Sequence, residues 1–98
     1  MYKIYYTKQA LKDIGKLKNA NLSERAKKLI DLIRENPYKN PPQYEKLVGK
    51  LDGILSRRLN LQHRLVYQVE ERPFIEDGVS YQGKIKIIRM WTHYENVE

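Results

Sequence analysis

Glu45, Arg57, Arg58, Arg64 and His93 are side chains whose types, taken together, can move protons around a phosphodiester. Cutting RNA without a metal needs a base to take the 2′-hydroxyl proton. It also needs a cation to steady the charge gathering on the phosphate oxygens, and an acid for the departing 5′-oxygen. A carboxylate or an imidazole can serve as the base, and a guanidinium presents a planar fork of donors to phosphate. Histidine, titrating near neutrality, suits the acid. Tyr94, directly after His93, offers an aromatic face on which a base can stack. Spacing alone does not show that these groups converge, because almost any basic domain of this length contains Glu, Arg and His somewhere. A histidine beside aromatics is more often packing than catalyst, and that applies to His63 as well as to His93.

The balance of charge points the same way without deciding the matter. The 98 residues carry a net charge of +7, with 19 Lys and Arg against 12 Asp and Glu. Such an excess attracts polyanions, nucleic acids first among them, although an anionic membrane or an acidic protein would also be served. The basic residues are spread along the chain and not confined to one amphipathic face or tail. With 41% hydrophobic residues and ten aromatics, the composition is that of a folded chain, of a length for one domain over 1–98. Cysteine is absent, which removes disulfides and thiolate zinc sites and is compatible with the cytoplasm. The segment Met1–Tyr6 is too short and polar for a signal core, and no apolar run approaches a membrane span. No GxGxxG, Walker, HExxH or GxSxG motif occurs. The two histidines lie thirty positions apart without carboxylates near both, and Asp77-Gly78 lacks the remaining ligands of a calcium loop, so no metal or other cofactor is expected.

The elements that must position the chemistry follow from periodicity. Tyr2 to Tyr6 reads as a strand, and Thr7 as the N-cap of a helix with Ala10, Leu11, Ile14 and Leu17 on its apolar stripe. Asn19-Ala20-Asn21 breaks that pattern. Asn21, three residues before Glu24, has the spacing of a capping box for a second helix, whose stripe is Leu22, Ala26, Leu29, Ile30 and Ile33. Asn36 to Pro42 reads as a loop, Glu45 to Leu51 is ambiguous, and Asp52-Gly53 is a turn. Ile54 to Leu61, Arg64 to Glu70 and Lys84 to Trp91 read as strands, with Leu65, Tyr67 and Val69 facing one way. Glu71 to Gly83 is long for a hairpin loop. The order predicts an α+β domain: an N-terminal strand, a two-helix hairpin, then a mostly antiparallel sheet of three to four strands. Leu65, Val66, Tyr67 and Trp91 are expected as packing, not function.

The run Glu45-Lys46-Leu47-Val48-Gly49-Lys50-Leu51-Asp52-Gly53, then Ser56-Arg57-Arg58, then His63-Arg64-Leu65-Val66-Tyr67, closes with Trp91-Thr92-His93-Tyr94. In order and spacing it resembles the YoeB/Txe branch of the RelE/ParE toxin superfamily across nearly the whole chain. The resemblance implies a small RelE-like fold and a toxin of a type II toxin–antitoxin system. The implied activity is that of an mRNA interferase: a ribosome-dependent, metal-independent endoribonuclease that cuts mRNA in the A site and halts translation. It implies Glu45 as general base, Arg64 as the phosphate-stabilising cation and His93 as general acid. Tyr94 would pack on the substrate nucleotide, and Arg57 and Arg58 would lie near the substrate groove as phosphate contacts. Lys46 and Lys50 flank the base and would ease the charge around the phosphate, a merely exposed role being the alternative. The implied partners are mRNA on the ribosome, an antitoxin protein and a second copy of the chain.

Two departures stand out against the family pattern. The stretch 71–83 is longer than typical, and Glu95-Asn96-Val97-Glu98 runs past the usual terminal His-Tyr. Two rival classes share the composition: a same-fold toxin that inhibits gyrase by binding protein, and a noncatalytic RNA- or ribosome-binding module. Adjacency of carboxylate, guanidinium and imidazole in one concavity separates them from the nuclease.

Overall fold

The aromatic and branched residues Tyr2–Tyr6 form strand β1, and Thr7 starts helix α1 (Lys8–Asn19). The Thr7 hydroxyl accepts a 3.0 Å hydrogen bond from the Ala10 amide, the N-cap its position predicts. Helix α2 (Ser23–Glu35) follows, then β2 (Tyr44–Lys46), β3 (Ile54–Arg58), β4 (Arg64–Glu70), β5 (Phe74–Glu76), β6 (Val79–Tyr81) and β7 (Gly83–Arg89). This computed structural model describes residues 1–47 and 53–91. Five strands form one sheet in the order β1-β7-β4-β3-β2, with β1 parallel to β7 and the other pairings antiparallel. Both helices cover one face of it. The α+β architecture is the expected one.

The core lies between that face and the helices, built from Ala10, Leu17, Ala26, Ile30, Ile33, Leu55, Leu65, Tyr67, Ile85 and Ile87. Strand alternation then leaves the other face to the remaining positions. Glu45 pairs with Ser56, Ser56 with Val66, Arg58 with Arg64, and Gln68 with both Ile54 and Lys86. These residues share the side of the sheet away from the helices. Among the described residues no helix is long and apolar enough to cross a membrane.

Three local expectations change. Asn21 is not the cap of α2: that position is Leu22, without a side-chain hydrogen bond. Asn21 has φ +59, and the Leu22 amide reaches back to the Leu17 carbonyl at 2.8 Å. The residue closes α1 in the left-handed conformation that asparagine tolerates, so it terminates one helix in place of starting the next. Leu11 and Ile14, placed on the buried stripe by spacing, are 54% and 42% exposed, whereas Asp13 is wholly buried. The long stretch 71–83 is itself a hairpin, β5 against β6, turned by Asp77 and Gly78 with φ of 51 and 77. Two consecutive positive φ values suit an Asp-Gly pair and match the strand twist.

Glu71 ties three segments together. Its carboxylate accepts from the Tyr2 hydroxyl at 2.6 and 3.0 Å and from the Tyr38 hydroxyl at 3.2 Å. Burial first, and then the Glu71 carboxylate, push both phenols up to about 12. The folded state therefore favours neutral phenols, a contribution intact below the unfolded value of about 10 and lost as pH rises toward the folded one. The melting temperature is expected to fall between pH 10 and about 12, less steeply in Glu71→Gln. Identical slopes for the two proteins in thermal melts would remove Glu71 from this linkage.

Candidate active site

Glu45 and Arg64, nineteen positions apart in sequence, meet because β3 lies between β2 and β4. A guanidinium nitrogen of Arg64 stands 3.4 Å from the Glu45 carboxylate. Arg64 is held from behind by Ser56 of the intervening strand β3. Its Nε donates to Ser56 Oγ at 2.5 Å and its Nη2 to the Ser56 carbonyl at 3.3 Å. Ser56 is fully buried, and the Arg64 side chain is 11% exposed against 46% for Glu45. The cation is thus fixed in the sheet while the carboxylate reaches toward solvent. Both line a cavity of about 350 Å³ together with Pro42, Gln43 and Arg58. Two guanidiniums and one carboxylate make it a net-positive recess that suits a phosphate.

Arg57 does not take part, contrary to the expected phosphate contact. It is wholly buried on the helix side. Its Nε donates to the Tyr67 hydroxyl at 2.8 Å, its Nη2 to the Pro37 carbonyl at 3.0 Å and its Nη1 to the Pro42 carbonyl. The Tyr44 ring lies 4.9 Å from the guanidinium carbon. The Tyr67 hydroxyl passes the connection on, donating to the Pro37 carbonyl at 2.7 Å, and burial pushes this phenol up. Arg57 therefore ties down the loop that delivers β2, and with it Glu45. Adjacent strand residues face opposite ways, so Arg58 keeps the open side. The same alternation sets Lys46, paired with Leu55, on the face opposite Glu45. Lys50, His93 and Tyr94 lie outside the described residues.

The segment 89–91 is anchored by contacts that sequence reasoning missed. The Asp13 carboxylate, inside the helix layer, accepts from Arg89 Nε at 3.0 Å, the Met90 amide at 2.9 Å and Gln9 Nε2 at 3.2 Å. Arg89 Nη2 in turn donates to the Trp91 carbonyl at 3.2 Å, and the Trp91 ring stacks on His63 with centroids 3.8 Å apart. Asp13 had a signal: it falls three residues after Ala10 and four before Leu17, on the buried stripe. Ser56 had one too, sharing the parity of Arg58. No group of three or more His, Cys, Asp or Glu placed to hold a metal occurs among the described residues.

The family model for YoeB-like toxins of bacterial type II toxin–antitoxin systems matches residues 6–94. The chain belongs to that family. The YoeB toxin of Synechocystis sp. is 37% identical over 54 residues, which is 55% of this chain and 63% of the relative, a little under two thirds of its length. Among solved structures, the YoeB/ParE toxin from Agrobacterium tumefaciens superposes with a TM-score of 0.75 at 26% identity, covering 94% of this chain and 99% of that one. The YoeB dimer from Staphylococcus aureus gives a TM-score of 0.74 at 28% identity, covering 95% and 98%. The YoeB–YefM complex from the same organism gives 0.68 at 29%, covering 96% and 99%. The YoeB-type sheet is therefore the frame on which Glu45, Arg58 and Arg64 are brought together.

Proposed function

We propose that this toxin is a ribosome-dependent endoribonuclease acting on mRNA in the A site. The supporting observation is the placement of Glu45 and Arg64 3.4 Å apart in one basic recess. Glu45 takes the proton of the 2′-hydroxyl, whose oxygen then bonds to phosphorus. Arg64, with Arg58 beside it, receives the charge on the non-bridging oxygens. The bond from phosphorus to the 5′-oxygen breaks, and His93 supplies the proton that this oxygen needs. The products are a 2′,3′-cyclic phosphate and a free 5′-hydroxyl. Tyr94 stacks on the nucleotide at the cut.

No metal takes part in this scheme: two side chains move the protons and fixed guanidiniums stabilise the charge. The ribosome supplies alignment of the RNA for in-line attack, a positioning contribution the small enzyme need not make. The basic surface suits docking on ribosomal RNA, where phosphate contacts dominate. Work at the ribosome sets the toxin in the cytoplasm. The toxin binds an antitoxin, as YoeB is in complex with YefM, and pairs with a second copy, as in the YoeB dimer; an antitoxin laid across the recess would silence it.

Primer extension on mRNA in a translating extract tests the reading. His93→Gln and Glu45→Gln are each expected to slow cleavage by about a hundredfold or more. Undiminished cut products in both variants would overturn the mechanism.

A further inference from the structure

The face of the sheet that carries Glu45 and Arg64 does not end at β4. Across β1, β7 and β4 the register places Tyr5, Lys86 and Gln68 side by side, and Lys3, Lys84 and Glu70 in the next row. Tyr5, Gln68, Glu70, Lys84 and Lys86 line a second recess, of about 410 Å³, that the chemistry proposed above leaves unused. Lys84 and Lys86 are exposed and alternate with the buried Ile85 and Ile87, so their stems leave the sheet on the side away from the helices.

The chemistry of the first row is that of a single-strand platform. The Tyr5 ring, 36% exposed, is an aromatic surface of the kind on which a base stacks. Lys86, directly across from Tyr5 on one side and from the neutral Gln68 on the other, forms no ion pair among the described residues. In the second row the cations are partly answered. Glu70 stands across from Lys84, and Lys3 is paired with Glu76 of the β5–β6 hairpin. Lys3 and Lys84 also sit 5.6 and 5.4 Å from the Tyr5 ring centroid. Such exposed cation–π contacts are weak, and a lysine stem is long enough to swing its ammonium onto a phosphate while the ring takes a base.

We propose that Tyr5 and Lys86, with Lys84 beside them, form a second RNA-binding site that holds the single strand flanking the cut. Its assignment to the flanking strand rests on the nuclease reading. Four steps along β4 lead from Arg64 to Gln68, roughly 13 Å at about 3.3 Å per residue. That distance corresponds to about four nucleotides of a stacked strand at ~3.4 Å each. Both recesses lie on the side of the sheet away from the helices, with the buried Val66 between Arg64 and Gln68 on that side.

The test is equilibrium binding of a fluorescein-labelled, fully 2′-O-methyl RNA of about 12 nucleotides, within the site sizes usual for such platforms. Lacking 2′-hydroxyls, this probe cannot be cut, so its binding is read independently of activity. Lys86→Ala is expected to weaken binding several-fold and to flatten the plot of log affinity against log salt by about 0.7, one phosphate contact on a single strand. Tyr5→Leu is expected to weaken it about fivefold or more, with Tyr5→Phe restoring it because stacking needs the ring and not the hydroxyl. The pair Lys12→Ala and Lys28→Ala on the helix layer, which removes charge elsewhere, is expected to leave affinity near wild type. Unchanged affinity and slope in Lys86→Ala and Tyr5→Leu overturn the platform, even with ribosomal cleavage intact. An equal loss in the helix-layer pair overturns it too, as a general charge effect. If the wild type binds the probe through Tyr5 and Lys86 yet cuts no mRNA on ribosomes, the nuclease reading fails and the platform stands.

Discussion

Arg64→Ala is expected to slow mRNA cleavage on ribosomes by about 10²–10³-fold, the usual cost of removing one charge-stabilising donor from a reacting centre. The side chain suits that role because it is fixed before substrate arrives. Ser56 accepts from it at 2.5 and 3.3 Å, and the Glu45 carboxylate stands at 3.4 Å. A guanidinium already held needs little reorganisation when charge develops on the phosphate. Arg64→Lys keeps the charge but loses the fork, so it is expected to recover only part of the rate. Single-turnover cleavage, normalised to folded protein by circular dichroism, reads the effect. A rate within about threefold of wild type in Arg64→Ala would remove this residue from the chemistry.

The second large effect concerns stability. Arg57→Ala is expected to destabilise the fold by about 4 kcal/mol, from the lost volume, the Pro42 carbonyl stripped of its donor and the Pro37 carbonyl left with the Tyr67 hydroxyl alone. For a domain of this size that corresponds to a fall in melting temperature of roughly 15–30 °C. Arg57→Met separates the two causes. It refills much of the space but supplies no donor, so a melting temperature near wild type would show that the buried charge brings no net stabilisation. A contact with substrate predicts the opposite pattern for Arg57→Ala: an unchanged melt with weakened RNA binding. Because Arg57 holds the loop ahead of β2, its loss is also expected to displace Glu45.

These two arginines show how little of the site local sequence specifies. Both lie in segments with strand character, yet the motif reading set Arg57 and Arg58 together at the groove although alternation turns neighbouring strand residues to opposite faces. Which face is inside was harder to assign, since arginine is seldom buried and Ser-Arg-Arg carries no mark of which guanidinium turns inward. The answer came from acceptors remote in sequence: Tyr67, ten residues on, and the carbonyls of Pro37 and Pro42. Asp13 makes the same point. Helical spacing from Ala10 and Leu17 allowed an inner position that the apolar stripe passed over, and its meaning came from Arg89 and Met90, more than seventy residues later.

The sequence by itself determined the α+β class, the first strand, the two helices and the three longer strands after them, the N-cap at Thr7 and the family motifs. Each depends on neighbours within a few residues, where backbone preference and periodicity act. Only the tertiary structure decided that Glu45 meets Arg64, that Arg57 is internal while Arg58 is not, and that Tyr5 and Lys86 share the open face. Those facts depend on strand order and register, set by how two helices and five strands together bury one apolar layer.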